Sequence, residues 1–200
     1  MIKNVVFDFG QVLVHFEPEY MVRQYVSNEK DVSLLTEVVF DRLYWNKLDE
    51  GTISDDETLK ACYERLPKRL WELADEIYYN WIYNIPEIEG MQELINYIKD
   101  KYGVKTYLLS NISKYFASHE SEIPILSLLD GCVFSSAINL VKPDTRIYEH
   151  LLHKFSLNAS ECIFIDDRSE NIEAAVSLGF NGYVFDGDSS KLRAYLDSIL

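Results

Sequence analysis

Carboxylate side chains follow two apolar segments that lie near opposite ends of this sequence. Asp8 comes directly after residues 5–7, and Asp166 and Asp167 come directly after residues 162–165. A single Asp after a strand is most often a turn former or a helix cap. An adjacent pair beside a third carboxylate is different, because the charges would repel strongly unless a cation joined them. Oxygen ligands that leave coordination positions for water suit Mg²⁺, so the sequence predicts a magnesium site if the two segments lie side by side.

The segments that would position these carboxylates are predicted to be short buried strands. They are residues 2–7, 104–109, 162–165 and 182–185, with residues 131–135 as a plausible fifth. Continuous apolar runs of this length are typical of a parallel sheet that is covered on both faces. Apolar residues at helical spacing lie between the strands, over residues 91–102 (ending at Gly103), 147–155 and 172–176 (ending at Gly179). This alternation predicts an α/β protein with a doubly wound parallel sheet.

Further polar residues follow the other predicted strands. Ser110 and Asn111 follow one strand, and the step Lys142-Pro143-Asp144 follows the weaker fifth strand. Because the carboxyl ends of parallel strands meet at one edge of a sheet, we expect these residues to converge with the carboxylates. Taken singly, Ser110 could cap the next helix and Lys142 could be a solvated loop residue. The joint pattern favours a binding site.

Residues 17–86 differ from the rest of the chain because they contain no convincing strand. Their Leu, Glu, Tyr and Trp residues recur at helical spacings, and Pro18, residues 52–54 and Pro67 divide them into about four predicted helices. We expect the chain to leave the sheet after the first strand, build a helical subdomain and return near residue 87. Trp45 and Lys47 could face a cleft at the sheet edge, although a packing role is at least as plausible.

Composition limits the possible partners. The chain has 200 residues, of which 48% are hydrophobic, and 33 acidic against 19 basic residues give a formal net charge of −14. Such a charge repels nucleic acid and anionic membranes, so we expect neither as a partner. Three cysteines at irregular positions predict no disulfide framework, and the sequence shows neither a signal peptide nor a membrane span. We therefore expect a cytoplasmic protein, and the sequence carries no prediction of oligomeric state.

Four short motifs of this sequence resemble those of one enzyme family. FDFGQVL, LLSN, KPD and FIDDRSEN, in this order, are similar to the four motifs of the haloacid dehalogenase-like (HAD) hydrolases. The resemblance extends over essentially the whole chain. It implies a HAD-like α/β core formed by residues 1–16 and 87–200, with residues 17–86 inserted as a helical cap.

The resemblance also implies a mechanism. Asp8 would be a nucleophile that attacks phosphorus to give an aspartyl-phosphate, which water then hydrolyses. Ser110 and the Asn111 backbone N–H would bind phosphoryl oxygens, and Lys142 would supply positive charge. The implied Mg²⁺ ligands are Asp8, the Gly10 carbonyl, Asp167 and, directly or through water, Asp166, with Asn171 as a possible supporting residue.

Gly10 departs from the common family pattern, which has there a second Asp that acts as general acid and base. The leaving group could need little protonation, as in a sugar 1-phosphate or an acyl phosphate. His15 or Glu17 could replace the missing group, although a hinge between sheet and cap is the more plausible role of His15. The protein could also bind a phosphorylated metabolite without hydrolysing it.

The local pattern F-D-x-G-x-V-L resembles the branch of α-D-glucose-1-phosphate phosphatases and epoxide hydrolase N-terminal phosphatase domains. It therefore predicts a Mg²⁺-dependent phosphatase for a small sugar phosphate, such as a hexose 1-phosphate. A metal-independent haloacid dehalogenase, which also lacks the second Asp, is the alternative enzyme. Such a dehalogenase would not need Asp166 and Asp167 as metal ligands.

Overall fold

A computed structural model describes residues 1–200, and its centre is a five-stranded parallel sheet. The strands are β1 (Asn4–Phe7), β2 (Lys105–Ser110), β3 (Gly131–Phe134), β4 (Cys162–Asp166) and β5 (Asn181–Val184). Their order across the sheet is β3-β2-β1-β4-β5, and all neighbouring pairs are parallel. The predicted doubly wound α/β fold is therefore confirmed, including the weaker fifth strand.

Successive residues of the central strand face opposite sides of the sheet, as strand geometry requires. Val5 and Phe7 belong to the larger apolar core, whereas Val6 belongs to a second, smaller core on the other face. Both faces are covered by helices, which explains why the strand is apolar from Val5 to Phe7. The first polar side chain after this run is that of Asp8, at the rim.

The helices that cover the sheet follow residue 90. They are α6 (Met91–Tyr102), α7 (Lys114–Ser118), α8 (Ser135–Ile138), α9 (Thr145–Phe155), α10 (Ser169–Ser177) and α11 (Ser189–Ile199). Helix α6 ends at Gly103, whose φ of 66° is the left-handed conformation that favours glycine at a helix end. The apolar residues at helical spacing over residues 172–176 were predicted to be buried. Ile172 and Ala175 are buried, but the prediction is wrong for Val176, whose side chain is largely exposed.

Five helices lie between β1 and α6, where the sequence predicted about four. They are α1 (Pro18–Arg23), α2 (Glu29–Val39), α3 (Arg42–Asp49), α4 (Asp55–Arg65) and α5 (Trp71–Asn80). The side chains of Asn28 and Asp41 accept hydrogen bonds from backbone N–H groups at the starts of α2 and α3. These caps mark helix boundaries that the spacing of apolar residues did not show. We propose that these helices form the cap predicted for residues 17–86. None of the helices is both long and apolar enough to cross a membrane.

Candidate active site

A cavity of about 190 Å³ opens at the carboxyl ends of the strands. On the sheet side it is lined by the segments that follow β1, β2 and β4, and on the other side by α3. The pairing register explains this convergence, because Phe7 is aligned with both Leu108 and Ile165, so that the residues after all three reach the same edge. Its lining residues are Asp8, Phe9, Gly10, Gln11, Phe16, Arg42, Trp45, Asn46, Asp49, Ser110, Asn111, Ile112, Lys142, Asp167, Arg168 and Asn171.

Asp8 lies at the floor of the cavity, directly after the central strand. Its backbone N–H donates to the Ile165 carbonyl at 2.9 Å, which extends the sheet pairing by one residue and fixes the start of the loop. Its Oδ1 atom lies 2.7 Å from Lys142 Nζ, and its side chain is 13% exposed. Burial raises the pKa of Asp8 to about 6, although the ammonium group of Lys142 opposes this rise. The carboxylate is therefore the main form at pH 7.

Lys142 is the buried cation of the site. Its side chain is 1% exposed, and Nζ lies 2.7 Å from both Asp8 Oδ1 and Asp166 Oδ2. Burial lowers its pKa, but the charges of the two carboxylates outweigh burial and raise the pKa overall, so the side chain stays protonated. The Asn111 side chain positions the Lys142 backbone through two hydrogen bonds, one from Asn111 Nδ2 to the Lys142 carbonyl and one from the Lys142 N–H to Asn111 Oδ1.

Asp166 lies beneath the cavity and acts as a hydrogen-bond acceptor for its neighbours. It is fully buried and accepts from Lys142 Nζ at 2.7 Å, from Asn171 Nδ2 at 2.9 and 3.0 Å, and from the Arg168 backbone N–H at 2.9 Å. These bonds satisfy most of the acceptor capacity of a carboxylate. Asp166 is thus bound into the protein, whereas Asp167 lines the cavity.

Three carboxylates nevertheless come close enough to hold a cation together. Asp8, Asp166 and Asp167 each offer an oxygen, and these atoms lie within 4.8 Å of one another. Burial and the charge of Asp166 raise the pKa of Asp167, as expected where negative charge is crowded. Asn171 Oδ1 is buried without a hydrogen-bond donor at the cavity wall. A water molecule on a bound Mg²⁺ would satisfy this atom, so the residues fit a hard divalent cation.

The remaining predicted residues are not all brought into the cavity. Ser110 and Gly10 line it, and a Cβ atom built on Gly10 would meet only Phe16 Cβ, at 3.7 Å. The candidate substitutes for an acid at position 10, His15 and Glu17, do not line it. The His15 backbone N–H donates to the Pro86 carbonyl at 2.8 Å, where the chain leaves the sheet and returns, which fits the hinge alternative.

Of the α3 residues that line the cavity, sequence reasoning named only Trp45. Arg42, Asn46 and Asp49 lie one turn or nearly two turns apart on this helix, and all three line the cavity. Trp45 both lines the cavity and packs in an aromatic cluster, whereas Lys47 is exposed and does not line it. The spacing from Arg42 to Asp49 is a signal of a shared helix face. Apolar spacing alone would not show that this polar face turns toward the sheet.

Comparisons with known proteins agree with this geometry. A family model described as haloacid dehalogenase-like hydrolase matches residues 2–179. The sesquiterpene phosphatase astK of Aspergillus oryzae is 29% identical over 185 residues, which cover 90% of this chain and 88% of that protein. The D-ribitol-5-phosphate phosphatase of Bacteroides thetaiotaomicron is 26% identical over 193 residues, which cover 92% and 91% of the two chains.

A solved structure of similar fold is that of a HAD family enzyme from Bacteroides thetaiotaomicron in complex with magnesium and inorganic phosphate. It has a TM-score of 0.73 and 20% sequence identity, and the match covers 96% of this chain and 99% of that chain. A likeness at this identity concerns the fold, whereas the family model covers most of the sequence itself. This protein belongs to the haloacid dehalogenase-like hydrolases.

Proposed function

We propose that this hydrolase is a Mg²⁺-dependent phosphomonoesterase that acts through an aspartyl-phosphate on Asp8. The observation that carries the proposal is the setting of Asp8, whose carboxylate faces the cavity between the buried Lys142 ammonium group and the acidic pair at the end of β4. A carboxylate that attacks a phosphate dianion needs positive charge beside it. In a chain of net charge −14 this charge must be supplied locally.

Each residue of the cavity has its own role in the proposed reaction. Asp8 attacks phosphorus, and Lys142 holds Asp8 in place and offsets the charge of the phosphoryl group. Ser110 and the Asn111 backbone N–H bind phosphoryl oxygens. Asp8, the Gly10 carbonyl and Asp167 would hold Mg²⁺, with Asp166 and Asn171 supporting them. The metal, when bound, stabilises the charge that develops on the phosphoryl oxygens.

A small sugar phosphate is the proposed substrate, with a hexose 1-phosphate as the first compound to test. Only four of the sixteen residues that line the cavity are hydrophobic. Arg42, Asn46 and Gln11 offer hydrogen bonds to hydroxyl and phosphate groups. Such a lining fits the D-ribitol 5-phosphate named for one relative better than the sesquiterpene named for another. The hexose 1-phosphate itself rests on the sequence pattern around Gly10.

A cytoplasmic location is part of this proposal. Cys62, Cys132 and Cys162 are free thiols, as is usual in a reducing compartment. Burial raises the pKa of Cys62 to about 11 and that of Cys132 to about 12, so these two thiols stay protonated and are poor nucleophiles.

The experiment is an assay of phosphate release from p-nitrophenyl phosphate and a panel of sugar phosphates, with Mg²⁺ and with EDTA. We expect release that requires Mg²⁺ and is abolished by Asp8→Asn. Asp100→Asn, which changes an exposed carboxylate of α6, is the matched control and should retain full activity. Chloride release from 2-chloropropionate without metal would support a dehalogenase instead. Thermal stabilisation by sugar phosphates without any turnover would support a binding protein.

A further inference from the structure

Cleavage of an alkyl phosphoester is accelerated by a group that can give and take a proton, because an alkoxide is a poor leaving group at neutral pH. No His, Tyr, Cys or Glu lines the cavity. Guanidinium groups such as those of Arg42 and Arg168 only donate hydrogen bonds, and Lys142 is held protonated by two carboxylates. Asp8 is the nucleophile of the proposed reaction, and Asp167 is a proposed metal ligand. The one carboxyl group of the cavity without another task is that of Asp49.

Asp49 lies across the cavity from the sheet, as the last residue of α3. Its Oδ1 atom is buried and has no hydrogen-bond partner in the protein. A buried carboxylate oxygen without a partner costs free energy. The fold tolerates this cost, as is common for groups whose partner is a substrate or a water molecule. Asp49 therefore has an unused acceptor at the wall of a polar cavity.

The backbone around Asp49 is held firmly against the sheet domain. Ser135 Oγ donates to the Asp49 carbonyl at 2.6 Å, and Asn139 Nδ2 donates to the Glu50 carbonyl at 2.8 Å. Gly51 follows with φ of +69°, and a Cβ atom built there would lie 2.6 Å from the Ser136 carbonyl oxygen. Contact this close leaves little freedom, so the carboxyl of Asp49 is presented from a fixed backbone.

The protonation of Asp49 suits a role in proton transfer. Burial raises the pKa of Asp49, Arg42 opposes the rise and the charge of Asp8 adds to it, which gives a pKa of about 7 overall. A carboxyl group with a pKa near neutrality is present in both protonation states at pH 7. General acids and bases work best in this condition.

We infer that Asp49 is the general acid and base of this enzyme, replacing the side chain that residue 10 lacks. The inference rests on the proposed phosphatase function and adds to it the group that handles the proton. It places that group on the helical segment, opposite the nucleophile.

In the first step a bond forms between Asp8 and phosphorus, the ester P–O bond breaks with its electron pair going to the leaving oxygen, and the Asp49 carboxyl gives that oxygen its proton. The alcohol departs and Asp49 becomes a carboxylate. In the second step water attacks phosphorus while Asp49 takes its proton, the bond to Asp8 breaks, and orthophosphate leaves. Both residues return to their starting states.

The test compares Asp49→Asn with the wild type on two kinds of ester. An alkyl phosphate needs protonation of its leaving group, whereas p-nitrophenolate leaves without it. Because kcat/KM reports only the steps up to phosphoenzyme formation, we expect Asp49→Asn to lower kcat/KM for the alkyl ester by about 10²- to 10⁴-fold. For p-nitrophenyl phosphate kcat/KM should change by less than about tenfold. Slow hydrolysis of the phosphoenzyme should appear as a burst of p-nitrophenolate followed by slow turnover.

Asp56→Asn is the matched control, since it neutralises an exposed carboxylate of α4 that does not line the cavity. It should leave both kcat/KM values unchanged. Equal losses of kcat/KM on the two esters in Asp49→Asn, or no loss on either, would overturn the inference. Absence of any Mg²⁺-dependent phosphate release by the wild type would instead overturn the proposed function.

A measurement on the wild type alone covers the case in which Asp49→Asn does not fold. Across a series of aryl phosphates, proton donation to the leaving oxygen predicts that kcat/KM depends only weakly on the pKa of the leaving phenol. A steep fall of kcat/KM with rising phenol pKa would contradict a general acid in the cavity.

Discussion

Replacing Lys142 by methionine should strongly destabilise this protein. The substitution keeps the length of the side chain and removes a cation that lies 2.7 Å from two carboxylates and is 1% exposed. Removing one partner of a buried ion pair costs about 3–5 kcal/mol, because a charge is left buried and uncompensated. Asp166 keeps its bonds from Asn171 and Arg168. We therefore expect a loss of about 3–4 kcal/mol in the free energy of unfolding at pH 7.5.

The loss should depend on pH in a direction that the structure determines. Burial raises the pKa of Asp8 in the folded wild type to about 6, above the value of about 3.9 expected in the unfolded chain. A raised carboxyl pKa means that the folded state binds the proton more tightly, so this carboxyl destabilises the fold as pH rises from about 4 to about 6. Without Lys142 the folded pKa rises further and the penalty extends to higher pH. The deficit of Lys142→Met should thus be at least about 1 kcal/mol smaller at pH 5 than at pH 7.5.

The assay is urea unfolding followed by circular dichroism at pH 5 and pH 7.5, with EDTA present so that no metal ion replaces the lost charge. Lys3→Met is the control. Lys3 is 63% exposed and pairs with Glu161 at the surface, and such pairs contribute about 0–1 kcal/mol. If Lys142→Met were within about 1 kcal/mol of the wild type at pH 7.5, the carboxylates would not depend on this cation for their burial.

Two further predictions concern stability. Gly51→Ala should destabilise the protein by about 1–3 kcal/mol more than Gly103→Ala. Both glycines have left-handed φ, but only at Gly51 would a new Cβ atom meet other atoms, at 2.6 Å from the Ser136 carbonyl oxygen. Equal losses of unfolding free energy in the two variants would contradict this close contact. Burial raises the pKa of Asp130, yet the Thr106 N–H, Lys105 and Lys99 lower it to about 2 overall. The contribution of the Asp130 carboxylate to the free energy of unfolding is therefore present above pH 4 and is lost as pH falls toward 2. Asp130→Asn should therefore cost about 2 kcal/mol at pH 6 and about 1 kcal/mol at pH 3, and a cost in urea unfolding that does not change between these pH values would refute the assignment.

Most of the sheet side of the cavity could be predicted from the sequence. Asp8, Ser110, Lys142 and Asp167 each follow a strand of the sheet or lie in the segment after one. Parallel strands bring their carboxyl ends to one edge whatever the details of packing. The pairing of β1 with β2 and β4 places these ends level with each other. The helical side could not be predicted in this way, because the approach of α3 depends on contacts between segments distant in sequence.

The different surroundings of the carboxylates could not be predicted from the sequence either. Asp166 and Asp167 are adjacent and chemically identical, but the alternation of side chains along a strand buries the first and leaves the second at the cavity. His15 and Glu17 were reasonable substitutes for an acid at Gly10 because they follow it closely in sequence. Neither residue lines the cavity, whereas Asp49 does.

By itself the sequence determined the α/β fold, the family and the chemical types gathered at the sheet edge. These follow from local patterns: apolar runs, polar residues at their ends, and four short motifs in order. Local patterns do not show which carboxylate stands free, which two contact Lys142, and which approaches from α3. The physical reason is that burial, hydrogen bonding and pKa depend on neighbours in space, and a backbone that returns after about seventy residues brings neighbours that no local spacing records.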